Sequence, residues 1–401
     1  GNDLVFGESR FTHGDLLRGH NQYVGRSLKV NGPVSRDTYN YTIIINSNDG
    51  DYMVYINGRF LTQPITGVQR FAYELCLHLS RIRKDTVILV PAISLIKKDY
   101  IVKELNIIEL KGGSGHYWEQ FTLSLFLNKN NKALLVNLCN TGPAFYKNQI
   151  VTQHDISYIR FPDSFSRKFR FFYMSLTPLL LKNSKAIITV SNFSKNEISS
   201  YYKVCKSKIY VIPNAVGHVF AMNNNCKLNS TEEYYLTVSS VNYHKNLHGL
   251  INALVGSNID IKLKVIGGRT AAFKNVDICV HDPRIDFLGR VTDEELVKLY
   301  QGAKAFIFPS FYEGFGIPPL EAQSCGCPVI SSDRAAMKEV LDKSVFYFNP
   351  EIASEMINAI KFINENRRFR KKLIEKGNEN IKRYSWTDSA HKLNTLIERF
   401  F

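Results

Sequence analysis

From Met53 to the C-terminus, short apolar runs alternate with segments of helical periodicity, and such alternation builds βα units on a parallel sheet. Runs of strand composition fall at 54–57, 86–90, 133–138, 150–154, 186–191 and 209–212, then again at 236–240, 263–266, 285–288, 306–309 and 329–331. The first helix is plain, because Val68, Phe71, Ala72, Leu75, Leu79 and Ile82 recur at helical spacing directly after Gly67. Ser194 to Glu197 and Thr292 to Glu295 both read Ser/Thr-x-x-Glu, the form of a capping box. Between the two series, residues 214–233 carry a run of three asparagines and little apolar periodicity, as a linker would. The expectation is an α/β chain of two Rossmann-like halves, 53–218 and 219–401, with a ligand cleft between them. Residues 1–52, rich in Gly, Asn, Arg and Tyr, belong to neither half and read as a strand-rich extension without an assigned role.

A hydrophobic content of 44 % over 401 residues is enough for two or three folded domains, each with its own core. The formal charge of +15 calls for an acidic partner, and nucleic acid, an anionic membrane face and phosphorylated substrates all qualify. The basic residues form no single arm, and charge alone does not choose among these partners. Seven scattered cysteines without a Cys-x-x-Cys pair support neither a zinc site nor a disulfide framework. A reduced, cytoplasmic setting is expected. No signal-peptide pattern opens the sequence, and its most apolar stretch, 171–181, is too short to span a bilayer. Cys325 and Cys327 read as small core or loop residues beside Gly326.

The chemistry concentrates at Glu313-Gly314-Phe315-Gly316-Ile317-Pro318-Pro319-Leu320-Glu321. The strand-like run 306–309 precedes it, and paired prolines suit the first turn of a helix. Gly314 and Gly316 permit a tight turn, so the amides of Phe315, Gly316 and Ile317 are free to face an anion at the positive helix end. Glu313 then sits on the turn and Glu321 in the first helical turns.

This run, with the trailing Cys325-Gly326-Cys327-Pro328-Val329-Ile330, resembles the donor-site signature of family 4 retaining glycosyltransferases. Thr66-Gly67-Val68-Gln69-Arg70, Thr152-Gln153-His154-Asp155, Thr189-Val190-Ser191-Asn192-Phe193-Ser194, Ile212-Pro213-Asn214 and His244-Lys245-Asn246-Leu247 follow in the family's order. An ordered series is more specific than any single motif. The resemblance implies a GT-B fold whose last helix, 386–401, crosses back to the first half. It also implies a metal-independent hexosyl transfer from a nucleotide-diphosphate sugar to a saccharide acceptor, as in bacterial O-antigen and capsule synthesis.

On that resemblance Glu321 accepts from the ribose hydroxyls, Glu313 holds the donor sugar, and Lys245 neutralises the leaving diphosphate. His154 faces the sugar from the first half, and Gly67 brings backbone close to phosphate or acceptor. An arginine that many relatives carry before the lysine is replaced here by Ser239, Ser240 and Asn242, so Arg269 or Arg290 is the expected substitute. GDP-mannose is the favoured donor, with UDP- and dTDP-sugars as alternatives; no cofactor is implied. The aromatic and basic stretch 164–181 reads first as core packing and second as a rest for an anionic membrane carrying a lipid-linked acceptor. Two other readings remain at this point: a GT-B sugar-nucleotide epimerase, and a basic nucleic-acid-binding protein.

Overall fold

The computed structural model describes residues 53–221, 233–240, 242–267 and 282–401. The N-terminal extension 1–52, the centre of the expected linker and Arg269 lie outside these residues.

Two parallel sheets organise the chain. The first is built from β1 (Val54–Asn57), β2 (Thr86–Val90), β3 (Ile107–Glu109), β4 (Leu135–Asn137), β5 (Gln149–Thr152), β6 (Ala186–Thr189) and β7 (Ile209–Val211). Its order is β3-β2-β1-β4-β5-β6-β7. The second comprises β8 (Tyr234–Val238), β9 (Lys262–Ile266), β10 (Ile285–Gly289), β11 (Ala305–Phe308), β12 (Val329–Ser332) and β13 (Phe346–Phe348), in the order β10-β9-β8-β11-β12-β13. Every pairing is parallel. Strands β1, β2, β4, β5, β6 and β11 are buried along their whole length, which is why they read as apolar runs instead of alternating ones.

In both sheets the strand order reverses direction at one point, between β1 and β4 in the first and between β8 and β11 in the second. Connections there leave to opposite faces and open a crevice at the carboxyl ends of the strands. The short strands β3 and β13 escape a reading from apolar runs because each has only three residues, none of β3 and only Phe348 of β13 being fully buried.

The capping-box expectation holds at one of its two positions. Thr292 caps the helix Asp293–Gly302 reciprocally with Glu295. Ser194 does not cap: the helix Asn192–Tyr202 starts three residues earlier than the motif implies, with Ser191 as its N-cap, while Glu197 pairs with Arg160 at 2.6 Å. The last helix, Trp386–Glu398, packs on Gly67–Ile82 of the first half, with the Trp386 ring edge-on to Phe71 and Ser389 Oγ donating to the Pro213 carbonyl at 2.8 Å.

Candidate functional site

A cavity of about 410 Å³ lies where the two crevices face each other. From the second half, Lys245 follows β8 through the short turn Tyr243–Lys245, and Glu313 follows β11. From the first half come Thr66 and Gly67 beyond β1, His154 beyond β5 and Asn214 beyond β7. Two helix N-termini thus open on one space. Gly67–Ile82 begins at Thr66, whose side chain makes no cap bond, and Ile317–Ser324 begins at Gly316, likewise without one. Uncapped first-turn amides carry partial positive charge, so the cavity is prepared for an anion.

The start of Ile317–Ser324 is shaped by its glycines. Gly316 has φ +86°, and a Cβ there would fall 2.6 Å from Met337 Cε. Pro318 and Pro319 occupy first-turn positions whose amides have no helical partner in any case. The Phe315 ring is buried against Tyr384 at 5.3 Å, so this residue offers the cavity its backbone. Gly67 is different, since a Cβ built there meets only Ile317 Cδ1 at 3.8 Å. Nothing within the protein forces glycine at that position.

Glu313 Oε1 accepts from Lys245 Nζ at 2.6 Å and from Ser310 Oγ at 3.0 Å. The pair gives the cavity one cation and one anion held in register. Glu321 is almost wholly buried, and the loss of hydration pushes its carboxyl up to about 7 despite the opposing pull of Arg70. Tyr300 Oη lies 3.5 Å from Glu321 Oε2. His154 is also buried; its Nε2 lies 3.2 Å from the Leu138 carbonyl and its ring stands edge-on to Phe71 at 4.8 Å. Burial lowers its pKa to about 4, so the imidazole is neutral near pH 7. With Nε2–H donated to Leu138, Nδ1 is an acceptor.

Lys245, Glu313, Glu321, His154, Gly67, Phe315, Gly316 and Ile317 therefore all line one cavity. Arg290 does not: it is exposed, one residue past β10, and β10 is the edge strand three positions from β11. The first half supplies the second cation instead. Arg70 borders the cavity and makes a two-pronged contact with Asp293 at 2.8 and 3.0 Å, joining the helix Gly67–Ile82 to the helix Asp293–Gly302 across the cleft. Sequence reasoning passed over Arg70 although it lies three residues after Gly67, hence on the same helical turn as the amides. Cys325 and Cys327 are buried, and desolvation raises both thiols, to about 12 for Cys325. They are packing residues.

The aromatics of 164–181 are not simply core. In the helix Arg167–Asn183, Leu176, Leu180 and Leu181 are buried, while Phe171 is 75 % exposed and Phe169 and Met174 are also exposed. Phe172 and Tyr173 of the same helix are half-buried, so its aromatics are divided between packing and solvent.

Twin Rossmann-like halves with a shared anion-ready cleft define a GT-B architecture. Two family models match the chain in succession: Glycosyltransferase Family 4 over residues 65–218 and Glycosyl transferases group 1 over residues 218–380. The chain belongs to the family 4 glycosyltransferases. It is 35 % identical over 254 residues to the O-antigen chain mannosyltransferase RfbU of Salmonella typhimurium, covering 62 % of this chain and 69 % of that protein. It is 28 % identical over 281 residues to O-antigen chain mannosyltransferase B of Escherichia coli, covering 63 % and 73 % respectively. Among solved structures it resembles HepE from Anabaena in complex with UDP and glucose, at a TM-score of 0.63 and 15 % identity, over 86 % of this chain and 99 % of that one. That last likeness concerns the fold alone.

Proposed function

We propose that this glycosyltransferase moves a hexose, mannose in the favoured case, from a nucleotide-diphosphate sugar to a saccharide acceptor with retention of anomeric configuration, in surface polysaccharide synthesis. The observation that carries the reading is the meeting of Glu313, Lys245, Glu321 and the uncapped start of Ile317–Ser324 in one interdomain cavity. The diphosphate lies at the amides of Phe315, Gly316 and Ile317, and Lys245 neutralises charge as the bond to the anomeric carbon breaks. Glu321 accepts from the ribose hydroxyls. Glu313, locked to Lys245, accepts from hydroxyls of the sugar, and neutral His154 faces the same ring through Nδ1. The acceptor hydroxyl attacks the face the diphosphate leaves, and its proton passes to the departing phosphate oxygen. With the leaving charge held by amides and Lys245, the reaction needs no metal and survives chelation.

The mannosyl preference draws on the likeness to the two O-antigen mannosyltransferases. The acceptor is lipid-linked, and the enzyme works at the inner face of the cytoplasmic membrane without crossing it. No helix among the described residues is long and apolar enough to cross one. Support for the surface contact comes from Phe171 and Met174 on Arg167–Asn183, with Arg167 and Lys168 exposed beside them. A neighbouring helix, running through Gly115–Tyr117, the π-turn Trp118–Thr122 and Leu123–Lys129, exposes Tyr117, Phe121 and Leu125 at four-residue spacing. His116 packs against Phe172 with ring centroids 4.4 Å apart, tilted by 50°, and joins the two helices.

The test is turnover of GDP-mannose, UDP-glucose and dTDP-sugars with a lipid-linked saccharide acceptor, in EDTA, with the product anomer read by NMR. An α-linked product from an α-configured donor is expected. Inverted product, free altered sugar nucleotide, or activity abolished by EDTA and restored by a divalent ion would refute it.

A further inference from the structure

Gly314 lies between Glu313 and Glu321, yet the atoms closest to its open side and the two hydroxyls on its carbonyl belong to the first half. A Cβ at this position would lie 2.9 Å from Asp155 Cβ, 3.0 Å from the His154 carbonyl and 3.1 Å from Ser194 Oγ. Its carbonyl oxygen accepts from Ser191 Oγ at 2.6 Å and from Ser194 Oγ at 3.2 Å. Both hydroxyls are buried, and together they use both lone pairs of that oxygen. The second half reciprocates on the same helix start: the Glu339 carboxylate accepts from the amides of Asn192 and Phe193, each at 2.8 Å.

A trans peptide is planar, so its N–H points opposite to its C=O. The Gly314–Phe315 peptide is trans like every other described one. With the Gly314 carbonyl turned into the first half, the Phe315 N–H is turned away from it, and that amide donates to no backbone or side-chain acceptor among the described residues. Phe315 lines the cavity while its ring is packed on Tyr384. We infer that Ser191 and Ser194 are positioning residues of the donor site: by gripping the Gly314 carbonyl they aim the Phe315 amide at the diphosphate. The inference rests on the donor-site reading proposed above. The first half thereby completes an anion cradle that belongs to the second. Preorganised amides are effective because they need no reorientation when charge develops.

Equilibrium titration with GDP, UDP and the corresponding monophosphates tests this on the full chain. Ser194→Ala, which removes no helix cap, should weaken the better diphosphate about threefold to tenfold. Ser191→Gly/Ser194→Ala should weaken it tenfold or more, since glycine at an N-cap preserves the helix start. Monophosphate affinity should change less than twofold in both. Glu339→Gln, which keeps the Gly314 carbonyl bonded, should leave diphosphate affinity within twofold of wild type. Unaltered thermal midpoints in the absence of nucleotide separate amide orientation from unfolding. Should the serine variants bind like wild type while Glu321→Gln binds poorly, the positioning role is wrong and the donor site stands. Equal losses of mono- and diphosphate also count against it. If the wild type binds neither diphosphate, the donor-site reading fails and takes this inference with it.

Discussion

The two halves share a fold but present different surfaces. Around the first half, Tyr117, Phe121, Leu125, Phe145 and Phe171 are each more than half exposed, whereas Tyr243 is the one large apolar residue so exposed on the second half among the described residues. The second half instead concentrates polar chemistry at one point: Lys245 on Glu313, Tyr300 beside Glu321, and a helix start without a cap. On the function proposed above, the second half is the side that takes the small, charged donor, and the apolar surface of the first half, which water disfavours, is the surface that a lipid face would cover.

The largest expected effect lies on the donor side. Lys245→Ala removes the only lysine lining the cavity among the described residues and leaves Glu313 without its 2.6 Å partner. We expect kcat to fall about 10²- to 10³-fold, the usual cost of losing a charge-stabilising donor, while vesicle binding is unchanged. A Lys245→Ala enzyme with normal turnover would dissolve the contrast between the halves.

Next is the buried carboxylate. Its pKa is raised on folding to about 7, so Glu321 binds its proton more tightly in the folded chain than in the unfolded one. Its contribution is fully favourable below the ordinary carboxylate range and is lost as pH rises through about 7. Arg70 of the facing helix, Asp293 and Tyr300 of the next, and Cys325 just past the end of its own helix surround it electrostatically. At pH 8 Glu321→Gln should stabilise the free enzyme by on the order of 3 kcal/mol, and the advantage should shrink toward pH 5. Denaturant melts at the two pH values check this, and a destabilised variant at pH 8 contradicts it.

On the acceptor side, Phe121→Glu/Phe171→Glu should reduce partitioning onto anionic phospholipid vesicles about tenfold or more, given ~1.5 kcal/mol or more for each aromatic side chain withdrawn from a lipid face. Ile352→Glu, an equivalent change on the second half, should have no effect. Sedimentation with vesicles distinguishes the two, and equal loss from both would show that net charge alone governs binding. The smallest effect is expected at Gly67→Ala, because its Cβ fits at 3.8 Å from Ile317; stability should change by less than about 1 kcal/mol. A larger loss would place backbone in closer contact there than the geometry allows.

Much of this was legible in the amino-acid order. Strands such as β1 and β2 announce themselves because both faces are buried, and the glycines and prolines around Glu313 encode a turn into a helix whatever surrounds them. What lay beyond reach were contacts between distant residues. Arg70 and Asp293 are 223 positions apart, and nothing local marks either as the other's partner. The same holds for the buried set in which Asn57 and Arg59 donate to Glu119 at 2.8 and 3.2 Å. Ser194 misled for the opposite reason: it carries a valid local motif, but its hydroxyl is taken by the Gly314 carbonyl and Ser191 caps the helix instead. The aromatics of Arg167–Asn183 divide between the two readings, Phe172 and Tyr173 half-buried and Phe169 and Phe171 exposed, because composition names the side chains of a helix and not what covers each of them.

The central claim is that a nucleotide-diphosphate sugar occupies the cavity with its ribose on Glu321. Calorimetric titration of GDP-mannose into wild type and Glu321→Gln at pH 8 tests it most directly. A saturable wild-type isotherm weakened about tenfold to a hundredfold in the variant is predicted, the loss expected for a hydrogen bond to a charged group. Equal affinities, with the variant folded and at least as stable as wild type, would contradict it.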